Sequence, residues 1–163
     1  MSALRPALAA LLLMSATACS KSSTKANPCD LLQVSEAQSI DASIASTQWL
    51  PAKKGEPNEL CVYQDAKGDA RLMMFVWRDK TIDPTSETRS GMKSGLDKVV
   101  EVRGVGDSAA AGFSAAEGQT LKLFAAQSKA GMVGFRVRDA VKEDDEKFAR
   151  IKAAAGKSLE RLK

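Results

Sequence analysis

The sequence predicts an α+β domain: an antiparallel sheet of about five strands, helices packed on it, and one disulfide. Three observations carry that prediction. Apolar, strand-like runs flank turn-forming residues twice, within 60–78 and within 120–138. The segment 144–163 places apolar residues at helical spacing. The order of segments is helix, hairpin, helix, several strands, helix, which suits helices laid on an antiparallel sheet. At 163 residues, with 44% hydrophobic and 27% charged residues, the chain has the length and composition of one ordinary globular domain.

The folded part starts at Asn27-Pro28-Cys29-Asp30. Asn is a good helix cap, proline fits the first helical position, and Asp30 suits the positive end of the helix dipole. Leu31 and Leu32 supply an apolar anchor. Ser35, with Gln38 three residues on, has capping-box spacing and starts a short helix to about Ala42. Pro51, Gly55 and Pro57 make 46–58 a loop or an irregular edge strand, with Trp49 and Leu50 folded back on the core.

Leu60 to Gln64 alternates, and Asp65 to Asp69 is turn chemistry. Arg71 to Arg78 is apolar on both faces, as in a central strand. The polar segment from Asp83 to Lys98 holds Met92 and Leu96, four apart, as in a helix lying on the sheet; Gly91 and Gly95 weaken it. Val99 to Arg103 reads as a strand, Gly104 to Asp107 as a turn, and Ala109 to Ser114 as a further strand interrupted by Gly112. The second hairpin pairs 120–126 with 132–138 around Ser128–Gly131. In it Leu121, Leu123 and Ala125 face Val133, Phe135 and Val137, while Arg136 and Arg138 point away. In the last helix Phe148, Ile151, Ala155, Leu159 and Leu162 form one stripe. Acids Glu143 to Glu146 stand at its start and Arg161 and Lys163 at its end, as the dipole favours.

The N-terminal residues 1–18 have the shape of an export signal: Arg5, an apolar run from Ala7 to Met14, then small residues up to Ala18. The apolar run is too short to cross a bilayer, which needs about 20 residues. Ala16-Thr17-Ala18-Cys19 resembles the lipobox of bacterial lipoproteins, with Ala16 where those carry Leu. That resemblance implies that Cys19 is the first mature residue and carries the lipid. The alternative is a plain secretory signal cut near Ala18, with Cys19 free. Either cut leaves 145 residues and removes Arg5, taking the net charge from +4 to +3. Ser20, not Asp, follows the cysteine, which in enterobacterial lipoproteins resembles an outer-membrane sorting signal. Residues 19–26 are small and polar, a flexible tether to the single domain 27–163.

With Cys19 assigned to lipid, Cys29 and Cys61 remain. In an exported protein such a pair is most simply a disulfide. The loop it closes, about 33 residues, corresponds to roughly 3.5 kcal/mol in chain-entropy terms. Two free thiols for redox or metal work are the alternative; this far apart, with no His and no Cys-x-x-Cys, they make a poor site of either kind.

Cys29-Asp30-Leu31-Leu32, the short capped helix, Cys61-Val62-Tyr63, and Gly104-Val105-Gly106-Asp107-Ser108-Ala109 come in one order, ahead of an Ala/Lys-rich last helix. Together they resemble a class of small bacterial cell-envelope lipoproteins of unknown function, best represented in actinobacteria. The resemblance covers most of 27–163. It implies a paired Cys29–Cys61 and an envelope location, and it brings no activity.

The chain has no histidine, which excludes a Ser-His-Asp triad, a Cys-His pair and His-ligated zinc or haem. Eight aromatic residues are few for stacking single-stranded nucleic acid, and +3 is too mild to ask for a nucleic-acid partner. Gly104-Val105-Gly106-Asp107 lacks the Lys-Ser/Thr of a phosphate loop and reads as a turn. Glu143 to Glu146 lacks the alternation of a calcium loop and reads as a helix start. Ser90-Gly91-Met92-Lys93 matches Ser-x-x-Lys without companion motifs. Trp49 and Trp77 are either a binding pair or core, with core the simpler reading. Arg71, Arg78, Arg136 and Arg138 are the candidate partner-binding residues if the hairpins share a sheet; the competing reading is an ordinary solvated, charge-guarded face.

The expectation is a lipid-anchored, non-catalytic protein of the bacterial envelope, on the periplasmic side of the outer membrane if the cell is Gram-negative. It binds a protein partner or an anionic envelope component, without cofactor or metal. The rival reading is a carrier or sensor of a small apolar ligand between the sheet and the last helix, encouraged by the four methionines of the mature domain. A hydrolase using Ser90/Lys93 or carboxylates is a third.

Overall fold

The computed structural model describes residues 27–79, 81–90, 98–114 and 118–162. After a 3₁₀ turn at Pro28–Asp30 come α1 (Val34–Ile40), β1 (Ile44–Leu50), β2 (Asn58–Asp65), β3 (Ala70–Trp77), α2 (Pro84–Ser90), β4 (Lys98–Glu101), β5 (Ser108–Ser114), β6 (Thr120–Ser128), β7 (Gly131–Val137) and α3 (Glu146–Arg161). The fold is α+β as expected, with one antiparallel sheet, but the sheet has seven strands rather than five, in the order β1-β2-β3-β7-β6-β5-β4. Two meanders, β1–β3 and β4–β7, therefore meet at the β3–β7 pair.

Both hairpins form with the turns the sequence specifies. The Asp65 carboxylate accepts from the N–H groups of Lys67 and Asp69, and Gly68 supplies the left-handed residue (φ +85°). The expected helix over Met92 and Leu96 lies outside the described residues. The helix that is described there, α2, occupies the preceding residues Pro84–Ser90.

One face of the sheet carries the main core. Tyr63 of β2, Leu72 and Met74 of β3, Phe124 of β6 and Phe135 of β7 are buried there together with Ile151, Ala155 and Leu159 of α3. Phe148 of α3 meets Phe113 and Phe124 edge-on at 5.8 and 5.9 Å. The place where a small apolar ligand would sit, between sheet and last helix, is thus filled by side chains. Leu31 and Leu32 join this core, and the buried Tyr63 hydroxyl donates to the Leu32 carbonyl at 2.7 Å. Cys29 and Cys61 are bonded, with sulfurs 2.06 Å apart, fixing the entry segment to β2.

One pairing detail differs from the sequence pattern. Phe113 lies opposite Leu121 while Gly112 lies opposite Leu123, so Lys122 is an extra residue in a bulge. The bulge reverses the phase of β6. Leu121 joins Phe124 and Ala126 in the main core, while Leu123 and Ala125 turn to the second face. The three do not share one face, because strict alternation fails across an inserted residue.

On the second face Trp77, Ala125 and Met132 are buried, with Phe75 and Ile82 packed against them. The Trp77 ring lies on Gly134, where a Cβ would come within 2.8 Å of it. Helix α2 covers β4, β5 and β6 on this side.

Candidate functional site

Only half of the second face has a helix above it among the described residues. Beyond the Trp77 strip, β1, β2, β3 and β7 present side chains outward in a regular register: Leu50 opposite Leu60, Leu60 opposite Phe75, Val62 opposite Met73, and Met73 opposite Arg136. Leu60, Met73 and Phe75 are half-buried by their neighbours alone, and Leu50 is 39% exposed. Phe75 stacks on Trp77 with centroids 5.8 Å apart, and the Arg136 guanidinium sits 5.6 Å above the Phe75 ring. The result, among the described residues, is an apolar floor with the exposed Arg136 on it.

The four arginines singled out from the sequence are not gathered on this floor. Arg71 sits at a bulge where Tyr63 pairs with Leu72 and Gln64 with Ala70. It reaches Asp41 after α1 at 2.8 Å and Asp139 at 3.0 Å, and Lys147 of α3 shares Asp139. Burial works to raise the Asp41 carboxyl, but hydrogen bonds from Ser43 and Arg71 outweigh it, and its pKa falls below the ordinary value. Arg78 pairs with Glu59 beyond the other end of β3 at 3.2 Å. Arg138 pairs with Asp69 at 3.3 Å, both well exposed. Arg136 has no carboxylate partner among the described residues. The two tryptophans part company too. Trp77 is core, but Trp49 is 45% exposed, and neither it nor Leu50 folds back on the core. They stand on β1, an edge strand whose only buried residue is Ile44. The outermost strand has no further strand to bury it.

The remaining motifs are explained by packing. Gly106 has φ +62°, and a Cβ there would lie 2.2 Å from the Gln127 carbonyl oxygen and 2.8 Å from Leu159 Cδ1. The Asp107 N–H donates to that same carbonyl at 2.7 Å, so the Gly-Val-Gly-Asp turn clamps onto β6 and α3 rather than offering its amide to a phosphate. In the acidic run, Glu143 pairs with Lys98 and Glu146 with Arg150, while Asp145 accepts from the Lys142 N–H. A shallow trough of about 710 Å³ runs past Lys98, Gln119 and Lys142, and the Lys98–Glu143 pair spans it. Among the described residues no group of three or more His, Cys, Asp or Glu is placed to hold a metal ion. Lys93 and Cys19 lie outside the described residues. Among those described, no helix is long and apolar enough to cross a membrane.

A separate electrostatic latch closes the helical side. Arg161 donates to both Glu36 oxygens at 2.5 and 2.9 Å and to the Leu31 carbonyl at 3.0 Å. The Arg161 hydrogen bond, stronger than the opposing effect of burial, holds the Glu36 carboxyl down at about 2.

No protein-family model, no curated protein and no solved structure matches this chain. The sequence signal that could have found the exposed strand is the uncharged run Ser43 to Leu50, rich in residues that favour strands and ended by Pro51.

Proposed function

We propose that the protein is a lipid-anchored, non-catalytic binding domain of the bacterial cell envelope, which takes an apolar segment bearing a carboxylate from a protein partner. The observation that supports this reading is the exposed Arg136 over Phe75, on the half of the sheet face that has no helix above it among the described residues. A single cation on an apolar floor suits one carboxylate flanked by apolar side chains. A polyanionic envelope component would favour several unneutralised cations together, and Arg71, Arg78 and Arg138 each hold a carboxylate. With lipid at Cys19, the tether 19–26 reaches at most about 28 Å, which holds the domain close to its membrane.

Three experiments test the reading. Radiolabelled palmitate should enter the wild-type protein and not Cys19→Ser. A photoreactive amino acid at position 73, in growing cells, should cross-link one discrete partner, and Arg136→Glu should reduce that product at least about tenfold. The same probe at position 152, on α3, is the control. Equal, diffuse labelling at both positions would refute the binding face. Binding of the purified domain to phosphatidylglycerol vesicles, abolished by Arg136→Glu, would replace the protein partner with an anionic lipid.

A further inference from the structure

We infer that β1 is a self-pairing edge: two copies of the chain join through antiparallel β1–β1 pairing about a two-fold axis at Gln48, so that two seven-stranded sheets become one. An edge strand presents a row of backbone N–H and C=O groups without partners, and folded proteins usually guard it with charge. β1 has no charged residue in its seven positions, and Ala45 to Leu50 are all exposed. Trp49 and Leu50, the large hydrophobics most exposed among the described residues, both stand on it.

The boundaries of the strand fix the register. The β1–β2 register shifts between Ile44 and Ser46, and Pro51 lacks the N–H needed to continue, so the regular stretch is Ser46–Leu50 with Gln48 at its centre. Pairing about that centre puts Gln48 opposite Gln48 of the second copy, Trp49 opposite Thr47, and Leu50 opposite Ser46. The two Trp49 rings become diagonal neighbours, within reach of each other across the axis.

The occupant is a second copy because the edge is complementary to itself. Gln48 amides face each other, Ser46 and Thr47 lie opposite Leu50 and Trp49, and no like charges meet. Beyond the strand's C-terminal end stand the exposed Lys53 and Lys54; beside its N-terminal end stands Asp65, opposite Ile44. Antiparallel pairing brings the lysines of each copy toward the Asp65 end of the other. A symmetric, isologous contact of this kind closes at two copies and leaves no further edge of the same type. One strand edge is a small interface, of the size of weak, transient contacts. Anchoring in one membrane would raise the effective concentration of the copies.

The test uses the full chain in its membrane, oxidised and run without reductant. Gln48→Cys should give a disulfide-linked dimer. Ser46→Cys and Leu50→Cys should link only when both variants are expressed together. Val99→Cys, on the opposite edge β4, should stay monomeric. In detergent, sedimentation of Trp49→Lys should show dimerisation weakened at least about tenfold, with an unchanged far-UV circular dichroism spectrum. Linking of Gln48→Cys no better than Val99→Cys would overturn the proposal. So would a Gln48→Cys adduct to a different protein, or an undiminished dimer in Trp49→Lys.

Discussion

At one edge of the sheet stand the seven uncharged residues Ile44–Leu50; at the other stand the four residues Lys98–Glu101, with a charge at each end. The β4 edge is short, Lys98 bridges to Glu143, and α2 lies over the same part of the sheet. The β1 edge has none of these devices. Its neighbour β2 is instead tied to the entry segment by the Cys29–Cys61 bond, and on the helical side α1 is tied to α3 by the Arg161–Glu36 latch. The same backbone hydrogen-bonding potential is thus guarded at one edge and presented at the other. The difference lies in length, cover and side chains: charge, brevity and a helix nearby raise the cost of adding a strand, while a longer, uncharged, aromatic strand lowers it.

Four comparisons would break or sharpen this contrast. The largest effect is expected from removing the disulfide. Cys29→Ala with Cys61→Ala should cost about 3 to 4 kcal/mol in urea denaturation, and hydrogen exchange should accelerate in β1 and β2 before β5 and β6. Equal acceleration across all the strands would mean that the disulfide does not act on the β1 side in particular.

Gly106→Ala should perturb the opposite side, by about 2 to 3 kcal/mol, because the turn is pinned against the Gln127 carbonyl. Gly104→Ala is the comparison. Its φ is also positive, at +80°, but nothing lies within 4 Å of the added carbon, so the cost should be closer to about 1 kcal/mol. Similar thermal shifts for the two would assign the effect to backbone conformation rather than to contact.

Glu36→Gln should cost about 1 to 2 kcal/mol at pH 7, a figure reduced for solvent screening around a partly exposed pair. The Glu36 carboxyl is lowered from 4.5 to about 2, so its contribution is fully present above pH 4.5 and drains away as pH falls toward 2. Stability curves of variant and wild type should therefore converge near pH 2. A gap that stayed constant with pH would show that charge is not the cause.

The smallest effect belongs to the guarded edge. Lys98 and Glu143 are each about half exposed, at 48% and 51%, so Lys98→Ala should change stability by less than about 0.5 kcal/mol. It should also leave the association state untouched, in contrast to Trp49→Lys. A dimer stabilised by Lys98→Ala would move the pairing edge from β1 to β4.

Much of the fold was legible along the chain because its signals are local. Asp65 to Asp69 makes the first turn and Gly131 helps to make the second, and neither needs distant residues to specify it. The α3 stripe is local as well, and Phe148, Ile151, Ala155 and Leu159 are buried along it. Cys29 and Cys61 are the simplest pair on the expectation that Cys19 carries lipid, and they are bonded. The candidate site was only half legible. Arg136 could be placed on the face away from Val133 and Phe135 by alternation alone. That Arg71, Arg78 and Arg138 hold Asp41, Glu59 and Asp69 could not, because those carboxylates come from other parts of the chain. Pro51, Gly55 and Pro57 leave 46–58 open between a loop and an irregular edge strand; pairing with β2 decides for the edge strand, over Ile44–Leu50.

By itself, then, the sequence determined the α+β class, the two hairpins, the last helix and the cysteine pair, since each depends on short-range stereochemistry or on simple counting. Tertiary structure alone decided three things. It set the phase of β6, reversed by one bulged residue at Lys122. It chose which of Arg71, Arg78, Arg136 and Arg138 stands without a carboxylate among the described residues. It also left β1 at the edge of the sheet, with α2 over the β4–β6 half of the second face. Each of these depends on which surfaces meet in space, and residue order along the chain does not set that until the sheet has closed around its core.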